Sequence, residues 1–145
     1  MKIVVFDPGK TTGWCAFVDD VVVDYGAIYS MEDAIETFEV HENAEICVYE
    51  GFARANASTG DQLQAIEMCG AIQCLATMYK MELVKQYPAN RKGYLPLAKQ
   101  IVKGLAVEAN RRAHVVDAVA HGIRYLHKKG VFPWQERYCQ SIAKD

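Results

Sequence analysis

The sequence predicts an α/β fold: one mixed five-stranded sheet, an antiparallel meander of strands 1–3 followed by parallel strands, covered by helices. Three observations predict it. Three strand-like runs follow one another near the N-terminus with only turn-sized gaps between them. Beyond them helical and strand patterns alternate, as parallel strands joined by helical crossovers require. No internal repeat, low-complexity stretch or linker divides the 145 residues, so one domain is expected.

The elements follow in order. Ile3, Val4, Val5 and Phe6 form an unbroken apolar run ending at Asp7, the pattern of a central strand buried on both faces. Pro8-Gly9 supplies a turn, and residues 12–18 read as a second strand. Asp19-Asp20 is a tight turn into a third strand over 21–28. Ser30 is placed to cap a helix running to about His41, with Asp33 at the capping-box position. Ile46, Cys47, Val48 and Tyr49 form another buried strand, ending at Glu50.

Residues 51–60 read as a loop of small and polar residues, and residues 61–80 as a long helix. Its apolar face is expected to hold Leu63, Ile66, Cys69, Ile72, Leu75 and Met78. A fifth strand over 81–86 closes at Tyr87-Pro88, and helices over 95–105 and 113–128 complete the chain.

Composition narrows the function. About half of the residues are apolar, enough for one proper core, yet no run approaches the ~20 apolar residues of a membrane span. Asp7 comes too early for a secretory apolar region, so an intracellular, cytoplasmic protein is expected. The five cysteines include no Cys-x-x-Cys pair, which disfavours zinc, and an odd count disfavours a closed disulfide framework. Cys15, Cys47, Cys69 and Cys74 are expected as buried, reduced thiols.

The net charge of −2 conceals a strong asymmetry. Residues 1–84 carry four Lys or Arg against fourteen Asp or Glu, whereas residues 85–129 carry ten against two. Partners respond to such local fields rather than to the total, and the basic stretch is either a solvated face or a surface for an anionic partner.

The chemistry begins at strand ends. Asp7 closes the first strand and Glu50 the fourth, so neighbouring strands in register would project both carboxylates from one sheet edge. Asp-Pro-Gly is also a common turn sequence, but Glu50 after a buried run and Asp117 within Val-Val-Asp-Ala-Val-Ala are acids that burial penalises unless they are paired or bound to metal. His114 and Asp117, three residues apart, share a helix face, and His121 extends the stripe as a supporting or capping residue. Asp7, Glu50, His114 and Asp117 make a hard, oxygen-rich set suited to Mg²⁺, with Mn²⁺ as the alternative. Two such ions, ~3.5–4 Å apart, are the usual apparatus of phosphodiester hydrolysis.

Three segments, in this order, resemble the RuvC-type Holliday junction resolvases of the ribonuclease H-like superfamily. The first is Ile-Val-Val-Phe-Asp7-Pro-Gly-Lys-Thr-Thr-Gly13-Trp-Cys-Ala, similar to the family's first hairpin. The second is Ile46-Cys-Val-Tyr-Glu50, similar to its fourth strand with the catalytic Glu. The third is His114-Val-Val-Asp117-Ala-Val-Ala, similar to its His/Asp-x-x-Asp-Ala helix. The match spans nearly the whole chain, which is short for the family and would suit a compact bacteriophage-type member.

The resemblance implies a ribonuclease H-like fold and a homodimeric, metal-dependent endonuclease that cuts four-way or other branched DNA in recombination and repair. It implies catalytic roles for Asp7, Glu50, His114 and Asp117, and for Lys99 within Leu97-Ala-Lys-Gln-Ile-Val as the cation near the scissile phosphate. Arg91, Lys92, Lys99, Lys103, Arg111 and Arg112 would hold phosphates. Phe52 and Arg54 would contact the crossover, although Phe52 serves equally as a core anchor. The long helix would supply the dimer interface, unless its apolar face simply packs on the sheet. Rival readings are a ribonuclease H-like nuclease acting on RNA, an actin-like ATPase suggested by the Asp7 turn, and a junction-binding protein that does not cut. The ATPase needs two lobes, and a pure binder gains nothing from acids facing phosphate.

Overall fold

In the computed structural model, residues 1–51 and 60–131 are described. Strands β1 (Lys2–Asp7), β2 (Thr12–Val18) and β3 (Val21–Ile28) form the antiparallel meander, with a bulge between Ala16 and Phe17. Helix α1 (Met31–Val40) leads to β4 (Ile46–Glu50), and α2 (Gly60–Met78) leads to β5 (Glu82–Gln86). A short helix α3 (Pro88–Arg91) and one 3₁₀ turn (Lys92–Tyr94) precede α4 (Leu95–Lys103) and α5 (Arg112–Lys128). The sheet order is β3-β2-β1-β4-β5, and β1, β4 and β5 run parallel to their neighbours in that series. The expected fold is therefore the observed one, apart from helix ends displaced by one or two residues and the unforeseen helical turns of residues 88–94.

Side-chain alternation divides the core between the two faces of the sheet. Ile3, Val5, Cys15, Phe17, Ile46 and Val48 face α4 and α5, while Val4, Phe6, Trp14, Ala16, Cys47 and Tyr49 face α1 and α2. The central strands are apolar on both sides for this reason, and fully buried Phe6, Phe17 and Phe38 each contribute ~1.5–3 kcal/mol by leaving water. Ser30 caps α1 as expected, its Oγ accepting from Asp33 N–H at 3.1 Å. The reciprocal bond differs: Asp33 accepts from Tyr29 N–H, not from Ser30.

Helix α2 departs from expectation in a way that matters. It packs through Ala65, Cys69, Ile72 and Ala76, leaving Leu63, Ile66 and Met78 exposed at 51%, 38% and 71%. The helix is apolar on nearly every side, and its small residues face the protein because they allow close approach to β4 and β5. Cys74 is likewise exposed rather than buried, while Cys15, Cys47 and Cys69 are buried free thiols. Among the described residues no helix is long and apolar enough to cross a membrane.

Helix α5 lies across the sheet in unusually close contact. A Cβ on Gly13 would fall 2.0 Å from the His114 carbonyl oxygen, and one on Gly122 would fall 2.3 Å from the Phe17 ring. Only glycine permits this approach, which brings the first turns of α5 down to the ends of β1 and β4.

Candidate metal centre

The parallel register pairs Phe6 with Tyr49, so Asp7 and Glu50 follow side by side at one edge of the sheet. Both side chains are 13% exposed. Asp117 comes in from α5, and the three carboxylates surround one cation, the guanidinium of Arg91. Arg91 Nη1 hydrogen-bonds Glu50 Oε2 and lies 3.7 Å from Asp7 Oδ1, and its Nε is 3.6 Å from Asp117 Oδ1.

His121 braces this cluster from below. Its ring is fully buried, with Nε2 2.8 Å from Glu50 Oε2 and Nδ1 2.7 Å from Gln86 Oε1. Gln86 Nε2 in turn donates to the His121 carbonyl at 3.3 Å, which fixes the direction of the amide. Both ring nitrogens are therefore held by neighbouring side chains, Nε2 by Glu50 and Nδ1 by Gln86. Asp7, Glu50 and His121 offer atoms within 4.8 Å of one another. In this arrangement His121 Nε2 is engaged by Glu50 and Nδ1 by Gln86, so the ring acts on the site through Glu50.

Electrostatics separate the two strand-end acids. Burial pushes the Asp7 carboxyl up to about 9, reinforced by its hydrogen bond to Glu50 and by the charges of Glu50 and Asp117, with Arg91 opposing. Burial acts upward on Glu50 too, but hydrogen bonds from His121 and Asp7 and the positive charges of His121 and Arg91 outweigh it and hold Glu50 down at about 2. The two carboxyls are tightly coupled, so the opposite shifts of Asp7 and Glu50 belong to the pair. Asp7, Glu50 and Asp117, converging beside the Arg91 guanidinium, form a donor set suited to a hard divalent cation.

The residues expected at the site are only partly brought together. Asp7, Glu50 and Asp117 converge. His114 does not touch the carboxylate cluster by any hydrogen bond among the described residues, but it lines a cleft with Asp7, Pro8, Gly9, Lys10 and Asp61. Lys99 is exposed on α4 and makes no ion pair with the carboxylates; the cation among them is Arg91, which sequence alone assigned to the DNA backbone. Lys92, Lys103 and Arg112 are exposed, whereas Arg111 pairs with Glu108 and stacks over Tyr29. Phe52 and Arg54 lie outside the described residues. Gln86 was missed, although it ends β5 opposite Glu50 in register, so extending the strand-end pattern by one strand finds it.

The comparisons with solved structures decide the architecture. The chain superposes on Thermus thermophilus RuvC in complex with a Holliday junction substrate with a TM-score of 0.67, at 14% identity, covering 89% of this chain and 96% of that one. The fold is that of RuvC. A second Thermus thermophilus RuvC structure aligns with a TM-score of 0.60 at 15% identity, with the same coverage. No protein-family model and no curated protein sequence matches the chain. Likeness to RuvC thus lies in backbone topology, and in this protein the edge of that topology carries the acids.

Proposed function

We propose that this chain is a divalent-metal-dependent endonuclease that cuts branched DNA, with the four-way junction as its preferred substrate. The observation that carries the reading is the convergence of Asp7, Glu50 and Asp117 on one cation position, at a sheet edge of the RuvC fold. Asp7, Glu50 and Asp117 would hold the metal, with His114 as the further ligand from the first turn of α5. Bound there, Mg²⁺ or Mn²⁺ would polarise the phosphodiester and supply a water of lowered pKa. The protein's own contribution is orientation: His121 and Gln86 fix the Glu50 carboxylate, and the Gly13 contact fixes α5 and hence Asp117.

Two copies acting together would match the two-fold symmetry of a four-way junction. The exposed Leu63, Ile66 and Met78 face of α2 is the surface offered to the second copy, because that helix carries no basic residue that DNA would need. Labelled four-way junction and matched linear duplex, incubated with Mg²⁺ and with EDTA, test the function. Symmetric metal-dependent nicks confined to the junction are expected; tight binding without cuts in Mg²⁺, and in a parallel reaction with Mn²⁺, would refute the nuclease.

A further inference from the structure

Arg91 is an unusual neighbour for acids that are to bind metal. It is the last residue of α3, and its side chain engages acids from three separate elements: Asp7 of β1, Glu50 of β4 and Asp117 of α5. A divalent ion would need the same oxygens. Mg²⁺ binds oxygen at about 2.0–2.1 Å, which would place a dication where the guanidinium now lies among the three acids, and two cations repel at such close range.

Arg91 is also free to leave. Its side chain is 26% exposed, so an outward path leads directly to water. The 3₁₀ turn stays anchored, because Tyr94 packs against the core and its hydroxyl lies 2.7 Å from His127 Nδ1, so Arg91 would leave by turning its own side chain outward.

We propose that Arg91 is a built-in counter-ion, which holds the three acids together in the metal-free protein and is displaced from them when divalent metal binds. It is a positioning residue that competes with the metal. The inference rests on the metal-centre reading above. Its function would be to let three carboxylates fold side by side before metal arrives, at the expense of metal affinity. A purely structural ion pair would have the opposite signature, because its loss would loosen the site and weaken metal binding.

Mn²⁺ binding to the full chain, measured by calorimetry, separates the two. Arg91→Gln is expected to bind Mn²⁺ at least about tenfold more tightly than wild type, while the metal-free variant melts at a lower temperature and regains stability with Mn²⁺. Equal or weaker binding by Arg91→Gln, with wild type binding normally, overturns the inference and leaves the metal centre standing. Absence of binding by both proteins overturns the metal centre and the inference together. Should Arg91→Gln fail to fold, the wild type decides alone. Its Arg91 Nε–H resonance is expected to shift as Mg²⁺ is added, and a resonance unmoved while neighbouring amides report Mg²⁺ binding overturns the inference.

Discussion

His121 Nε2 meets Glu50 Oε2 at 2.8 Å, with the ring sealed beneath the sheet edge and Gln86 behind it. The contact reaches across 71 positions in sequence, and it fixes one carboxylate of the site in both position and charge. Replacing His121 by Ala removes the donor from Glu50 and leaves Gln86 Oε1 buried without a partner. Metal affinity is expected to fall about 10–100-fold, the usual effect of losing a supporting ligand contact. Stability should fall by ~1–3 kcal/mol in urea unfolding. Unchanged Mn²⁺ affinity would show that Glu50 needs no such support.

The two strand-end acids give the metal-free protein a pH dependence of definite sign. Asp7 is raised from 3.8 to about 9, so its contribution is complete below about 4 and is lost as pH rises through about 9. Glu50 is lowered from 4.5 to about 2, so its contribution is complete above about 4.5 and is lost only as pH falls through about 2. Between about pH 5 and 9 only Asp7 sets the slope of this pair. The melting temperature of EDTA-treated protein is expected to decline over that range, and Asp7→Asn should flatten the decline. A wild-type curve as flat as that of the variant would contradict the raised Asp7.

Asp117→Asn keeps the size of the side chain and removes one charge facing the cleft. Cleavage of labelled junction is expected to be abolished, with junction binding in a gel-shift assay preserved or tightened, because a repulsion toward phosphate is gone. A variant that cuts at the wild-type rate would remove Asp117 from the site.

Gly13 controls where α5 can lie. A methyl group there would collide with the His114 carbonyl, so Gly13→Ala must shift the helix or bend the strand. A loss of about 1–3 kcal/mol in urea unfolding is expected, as for other overpacked sites. Metal affinity should fall with it, since Asp117 moves with the helix. Wild-type stability would mean that the sheet and α5 separate more easily than their contact indicates.

Leu63 and Met78 expose a large part of their side chains on α2. If that face joins two copies, Leu63→Glu combined with Met78→Glu should convert a dimer into a monomer by light scattering, without lowering the stability of the isolated domain by more than about 0.5 kcal/mol. A dimer that survives both charges would have to use another surface.

Much of this arrangement is readable in the sequence, and the gaps have physical causes. Unbroken apolar runs ending in an acid marked β1 and β4, because a carboxylate at the end of a doubly buried strand has few other reasons to be there. The face of α2 was not readable: apolar residues surround the helix, and side-chain size rather than hydrophobicity chose Ala65, Cys69, Ile72 and Ala76 for the inside. Arg91 was not readable either. A long cation after a strand can turn toward solvent or inward, and only the assembled acids of β1, β4 and α5 determine which. His121 showed its face by its spacing from Asp117, but its role depended on Gln86, from a strand 35 residues earlier.

The site's parts come from positions 7, 50, 86, 91, 117 and 121, on four strands or helices and one short helical turn. Few of these contacts are local, and the β1–β4 pairing closes a loop of some forty residues before any acid meets another. Slow, late assembly follows, since long-range pairings form after local ones. A chain still emerging from the ribosome has its sheet acids but lacks α5, so it carries no complete centre. The three acids would come together in one step, with the docking of the last described helix, and a product truncated before α5 would lack Asp117 and His121.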